Sequence, residues 1–408
     1  MKKGCDSVAW TGRALVTLVA LLCACAKQAG EVADYPWGID PGTLPQTVRQ
    51  SDFPELPHGS ADRIWGFAGK DLSGKDLTNL SAAFLAQLTF DRNTRWPRPA
   101  LLPEGFAPDE LLKNGKDPGL GVRDLHRQGF TGDGIGVALV DKPIRHQHSE
   151  FEGRIHYHEV FENEAEGLAP HFHGIACASI LAGKSVGVAP EAKIHYFAVP
   201  DVGKNFHYYA IAADKIIRVN ECLGDGQKIR VVSISDGIGR DNPYRQEWES
   251  ALERLQQAGI EVIYSSRELF GPFLWGGCPP YEDRNDPSNY EVALMLRGRD
   301  MPPQTILVPG DYRTTASNKG RSLYIYWGEG GYSWAIPYLA GLAALAWQVA
   351  PDLTLPEIEA LLVESTARSR DGLNVIRPVR FMELVRATDR AEGPDAARGI
   401  VPGRYMRL

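Results

Sequence analysis

The feature that most limits the fold is an alternation of strand-like and helix-like segments beginning near residue 134. Gly134–Asp141 (GIGVALVD), Lys193–Val199, Ile229–Ser235, Ile260–Tyr264 and Thr305–Val308 are short apolar runs of strand length. Between them His173–Gly183, Tyr208–Leu223 and Tyr244–Ala258 carry helical spacing, and two further helices follow Ser333 and Thr354. Strands with no polar face must be covered on both sides, and parallel neighbours need helical crossovers. The expected class is therefore α/β, a parallel sheet with helices on both faces. In such sheets functional residues gather at the carboxyl ends of strands, where Asp141 and Ser235 fall. Thr354 and Glu357 have the spacing of a capping box for the last helix.

The chain has 408 residues, enough to bury a large core, with 43% apolar and 23% charged residues. That composition excludes wholesale disorder. Its net charge of −7 and the lack of a basic run argue against nucleic acid as a partner. Lys2, Lys3 and Arg13 flank an apolar run from Ala14 to Ala26. This run is far shorter than the roughly 20 residues of a membrane span, so it reads as a signal peptide. It ends in Leu22-Cys23-Ala24-Cys25, which resembles a bacterial lipobox. Residues 1–25 are thus expected to be a lipoprotein-type signal peptide. Cys25 would carry lipid and tether an exported chain at the outer membrane, periplasm or cell surface.

Residues 26–120 are expected to form an N-terminal extension and connector. Asp71-Leu72, Asp76-Leu77, Leu80, Leu85 and Phe90 hint at a five-residue spacing, too brief for a repeat fold. Pro97, Pro99, Pro103, Pro108 and Pro118 mark an extended connector. The extension could be a propeptide. Residues 121–390 form the α/β body and 391–408 a tail. Beyond the leader, Cys177, Cys222 and Cys278 are too few for a disulfide scaffold, although one Cys222–Cys278 bridge is possible.

Three residues stand in contexts that carry chemistry together more than singly. Asp141 ends a buried strand, His173 opens a helix of small residues, and Ser333 precedes a helix with Pro337 in its first turn. Gly331-Tyr332-Ser333 running to Pro337, His173-Gly174-Ile175-Ala176, Gly187-Val188-Ala189-Pro190, and Val137–Asp141 followed by His148–Phe151 resemble the serine, histidine and aspartate motifs of subtilisin-like serine peptidases. Val232–Gly237 resembles the strand lining their substrate cleft, and the order Asp, His, Ser is theirs. The resemblance covers roughly residues 121–385. It implies an exported serine endopeptidase acting on protein or peptide substrates through an acyl-enzyme, with no cofactor. Asp141, His173 and Ser333 would be the catalytic residues, with Ser333 as nucleophile and His173 as base.

The sequence departs from the family where an oxyanion asparagine is expected. Ser265-Ser266-Arg267-Glu268 follows the strand instead, and the next asparagines are Asn285 and Asn289. The second donor is expected from the 265–290 segment, whose glycines Gly271, Gly276 and Gly277 would admit close backbone approach. Asp236, on the cleft strand, would favour a basic substrate residue if its carboxylate were unpaired. Two other readings stay open. The pairs His146/His148, His156/His158 and His171/His173 could hold zinc in a metallohydrolase. A pseudo-peptidase would keep the fold and bind without cleaving.

Overall fold

The computed structural model describes residues 37–53, 56–160, 170–200, 205–265 and 272–391. The leader with Cys25, Glu268, Gly271 and the chain beyond Ala391 lie outside these residues. Elements of the N-terminal part are short: β1 (Thr47–Arg49), α1 (Ala61–Trp65), β2 (Asp76–Asn79), α2 (Ala82–Ala86), β3 (Phe90–Asp91), α3 (Pro108–Asn114) and α4 (Val122–Arg127). Serine caps open α1 and α2, with Ser60 Oγ accepting from Arg63 N–H and Ser81 Oγ from Phe84 N–H. The five-residue spacing marks one packed core, because Leu72, Leu77, Leu80, Leu85 and Phe90 are all buried around Val48 and Phe67. The proline-rich stretch is not uniformly extended. Pro108 starts α3, where no N–H is needed, and Leu111 and Leu112 are buried.

The body then alternates as its sequence predicts: β4 (Gly136–Asp141), β5 (Ile155–Glu159), α5 (Phe172–Ala182), β6 (Lys193–Ala198), α6 (Phe206–Cys222), β7 (Ile229–Ile234), α7 (Arg245–Gln257) and β8 (Glu261–Tyr264). These five strands pair in parallel in the order β5-β6-β4-β7-β8. Successive side chains of β4 feed opposite cores: Val137 and Leu139 join one, Ala138 and Val140 the other. The first core includes residues of α5, and the second Phe206, Ile216, Trp248 and Leu255 of α6 and α7. Helices therefore cover both faces.

Completing the body are β9 (Phe273–Gly277), β10 (Glu291–Val292), β11 (Ile306–Pro309), β12 (Arg313–Ala316), β13 (Tyr324–Trp327), α8 (Tyr332–Val349), α9 (Leu355–Glu364), β14 (Ala367–Arg368), β15 (Asn374–Val375) and α10 (Pro378–Ala391). A second sheet runs β10-β9-β11-β15-β14 and a third β12-β13-β3. The third joins the N-terminal part to the body through antiparallel pairing of Phe90 with Tyr326. Helix α8 is buried from Trp334 to Trp347 and runs through the main core. Thr354 and Glu357 form the expected capping box on α9. No described helix is long and apolar enough to cross a membrane.

Candidate active site

Asp141 closes β4, and its carboxylate is nearly inaccessible. It accepts the Lys142 N–H at 2.8 Å. Facing it, α5 opens on His171, whose Nδ1 accepts the His173 N–H. Gly174 lets that first turn approach. A Cβ there would overlap the Tyr196 hydroxyl and lie 2.9 Å from the Lys142 carbonyl. His173 Nδ1 consequently meets both Asp141 oxygens, at 2.8 and 3.0 Å. Its Nε2 lies 2.8 Å from Ser333 Oγ, presented in the first turn of α8.

Further contacts fix the serine. Its carbonyl accepts from Ser235 Oγ at 3.0 Å and from Cys177 Sγ at 3.3 Å. Cys177 lies one helical turn beyond His173 and is fully buried, 3.9 Å from the same Nδ1. Burial raises the Cys177 thiol above its usual range, so the proton it gives Ser333 is firmly held. Burial alone would lower the His173 imidazolium, but the Asp141 carboxylate in contact overrides it. His173 ends well above the ordinary histidine range. The same imidazolium overcomes the burial penalty on Asp141 and holds its carboxyl low. The three side chains, far apart in sequence, form one continuous relay from carboxylate to hydroxyl.

The relay opens into a cavity of about 980 Å³ lined by Lys142, Ser235, Asp236, Ser265, Tyr332 and Ser333 among others. Asp236 does not present an unpaired carboxylate. Its Oδ2 accepts the Tyr209 hydroxyl at 2.9 Å and faces Lys142 Nζ at 3.4 Å. The charge that would have selected a basic substrate residue is already neutralised.

Both asparagines that the sequence offers as oxyanion donors are occupied elsewhere. Asn285 Oδ1 accepts the Gly121 N–H, and Asn289 bridges the Asp283 carbonyl and Arg370. Gly276 and Gly277 belong to β9 and admit other protein chain rather than a ligand. Gly276 faces the Glu291 carbonyl, and Gly277 faces Asp311 and Tyr312. Within the 265–290 segment the sequence does not single out Ser265, which directly follows β8. Its Oγ is buried without a hydrogen-bond partner among the described residues, yet it lines the same cavity as Ser333. A hydroxyl at the carboxyl end of a strand beside Ser235 is the signal that could have found it. Cys177 is legible too, since a residue four beyond His173 shares its helix face.

The histidine pairs do not converge. His148 Nε2 contacts the Leu323 carbonyl, His146 stacks on Tyr157, and His171 caps α5. His156 and His158 stack on His195 with ring planes 17° and 7° apart. A metal lies in the plane of each imidazole that binds it, so parallel stacked rings cannot share one. Among the described residues, the group whose ligand atoms converge is Asp141, His173 and Cys177, which is the relay and its neighbour. No disulfide joins Cys222 and Cys278, so the possible bridge between them is not formed.

A serine hydroxyl, an imidazole and a buried carboxylate in one relay, at the carboxyl end of a parallel sheet, form an arrangement of the kind that serine hydrolases use. The subtilase family model matches residues 132–266. The chain is 27% identical over 289 residues to serine protease AprX of Bacillus subtilis, covering 60% of this chain and 64% of that protein. It is 24% identical over 257 residues to alkaline serine exoprotease A of Vibrio alginolyticus, covering 59% and 43%. Among solved structures, the prenylagaramide maturation protease PagA is 18% identical, with 65% of this chain and 98% of that one covered at a TM-score of 0.47. Residues 132–266 are therefore similar to a subtilase domain, and the relatives named are serine proteases. The chain spans less than two thirds of the length of these curated relatives.

Proposed function

We propose that the protein is a serine endopeptidase that hydrolyses peptide bonds through an acyl-enzyme on Ser333. The observation that carries this reading is the unbroken relay from Asp141 through His173 to Ser333 Oγ. His173 takes the serine proton as the hydroxyl attacks and returns it to the leaving amine, while Asp141 holds the tautomer and stabilises the imidazolium. A fluorophosphonate probe tests this directly. Label should fall on Ser333 and survive chelators; loss with EDTA and recovery with zinc would favour the histidine-rich metal reading. A chain that neither turns over peptide nor takes the probe is a pseudo-peptidase.

The developing oxyanion needs donors. The start of α8 supplies backbone N–H groups and the positive end of its dipole. We assign the second donor to Ser265, whose buried hydroxyl bonds to none of the described residues. Ser265→Ala is expected to lower kcat about 10²-fold with KM little changed. An unaltered kcat returns the role to the segment following Ser265.

The leader sequence carries the reading on location. Export through residues 1–25, with Cys25 lipidated, leaves the folded body outside the bilayer. Mass spectrometry of the mature N-terminus is expected to find a lipid-modified Cys25. An unmodified terminus at another residue rejects this.

A further inference from the structure

We infer that residues 37–114 stay in the working enzyme and that Glu329, clamped by them, is a positioning residue for Ser333. The inference rests on the reading of Ser333 as nucleophile.

Glu329 lies on the segment between β13 and the first turn of α8, and its side chain is only 1% exposed. Three groups from one short stretch of the N-terminal part meet its carboxylate. His58 Nδ1 is 2.5 Å away, Gly59 N–H donates at 2.8 Å, and Arg63 Nε donates as well. Arg63 is itself buried, and its other arm donates to Gln87 Oε1 at 2.8 Å. A carboxylate this deep is tolerable only with such partners, because removing one leaves an uncompensated charge in the interior. Removing residues 37–114 would remove all three.

The surrounding contacts point the same way. A Cβ on Gly328 would overlap the Gln87 carbonyl, so the serine segment runs directly against the N-terminal part. Tyr326 donates its hydroxyl to the Ala86 carbonyl at 2.8 Å, beside the β3–β13 pairing. Trp65 packs on Trp327 at 5.6 Å and on Phe172 at 4.8 Å, next to His173. Trp327 in turn packs on Trp334, next to Ser333. On the body side, Asp311 Oδ1 accepts the Gly330 N–H at 2.7 Å. The approach to Ser333 is thus held from two directions, one of them supplied by residues 58–91.

A segment that silenced the enzyme by filling its cleft would line the cavity around Ser333. None of the described residues of 37–114 does so. This part supports the nucleophile from behind, as a fixed piece of the scaffold.

Intact-mass analysis of the fluorophosphonate-labelled wild type, with labelling kinetics of variants, tests the inference. The labelled species should still contain Ser60–Asp91. Glu329→Gln should lower the maximal labelling rate about tenfold or more, with little change in half-saturating probe concentration, since misplacing a nucleophile harms the bond-forming step. Arg63→Lys, which keeps a cation beside Glu329, should retain more of that rate than Arg63→Met. If Arg63→Met does not fold, Glu329→Gln and Arg63→Lys carry the comparison. A labelled wild type that begins beyond Asp91 overturns the inference. So does a Glu329→Gln variant that melts earlier yet labels at the wild-type rate. A wild type without label at Ser333 instead removes the nucleophile reading, and this inference falls with it.

Discussion

Ser333→Ala is expected to lower kcat by about 10⁶-fold while leaving the fold intact, because the residues of such a relay act as a unit. The hydroxyl makes one short contact, to His173 Nε2 at 2.8 Å, and a long one of 3.5 Å to the Ser235 carbonyl. Neither anchors α8, whose apolar residues from Trp334 onward hold it in the core. The variant should therefore melt near the wild-type temperature and still bind peptide substrate. His173→Ala is expected to cost a similar factor, and the double variant little more than either alone. Steady-state kinetics with a chromogenic peptide checks both. Additive losses would mean that the two residues do not share one step.

Asp141→Asn is expected to cost about 10⁴-fold in kcat and to move the pH profile, which separates it from a purely structural change. In the wild type the carboxylate raises His173 well above its ordinary range. The base form of His173 is populated only above that raised value, so kcat/KM should climb with pH through a range more alkaline than a free histidine gives. Once the charge is removed, burial dominates and disfavours the imidazolium. The acid limb should then shift to lower pH while the maximum falls, because an amide no longer enforces the productive tautomer. A profile that drops uniformly without shifting would show that Asp141 does not set the basicity of His173.

The sheet is legible in the sequence because its strands carry no polar face. Gly134–Asp141 and Ile229–Ser235 differ from the observed β4 and β7 only at their ends. Strand β9 is not legible. Phe273–Gly277 sits between Gly271 and Pro279 with two glycines of its own, and its pairing with β11 comes from tertiary packing rather than local propensity. The role of the N-terminal part is hidden for a related reason. The spacing of Leu72, Leu77 and Leu85 is visible, but nothing local says that Arg63 pairs with Glu329 or that β3 joins β13. At the site, motif context singles out Asp141, His173 and Ser333. The partners of Asp236 are invisible, because Lys142 and Tyr209 reach it from other elements.

The contact between Arg63 and Glu329 joins residues 266 positions apart, and the relay itself spans 160 between His173 and Ser333. Closing loops of that length loses chain entropy well before burial returns anything, and such non-local pairing slows folding. As the chain emerges from its amino end, β3 and the apolar face built on Leu85 and Phe90 must wait for β13 to appear. Until then an intermediate holds an unpaired strand edge and bare aromatic surface, the kind of species that aggregates or recruits a chaperone. Docking of the amino-terminal segment onto the finished body is therefore a late event. Ser333 acquires its final setting only after β13 and Glu329 have been made and the amino-terminal segment has docked on them.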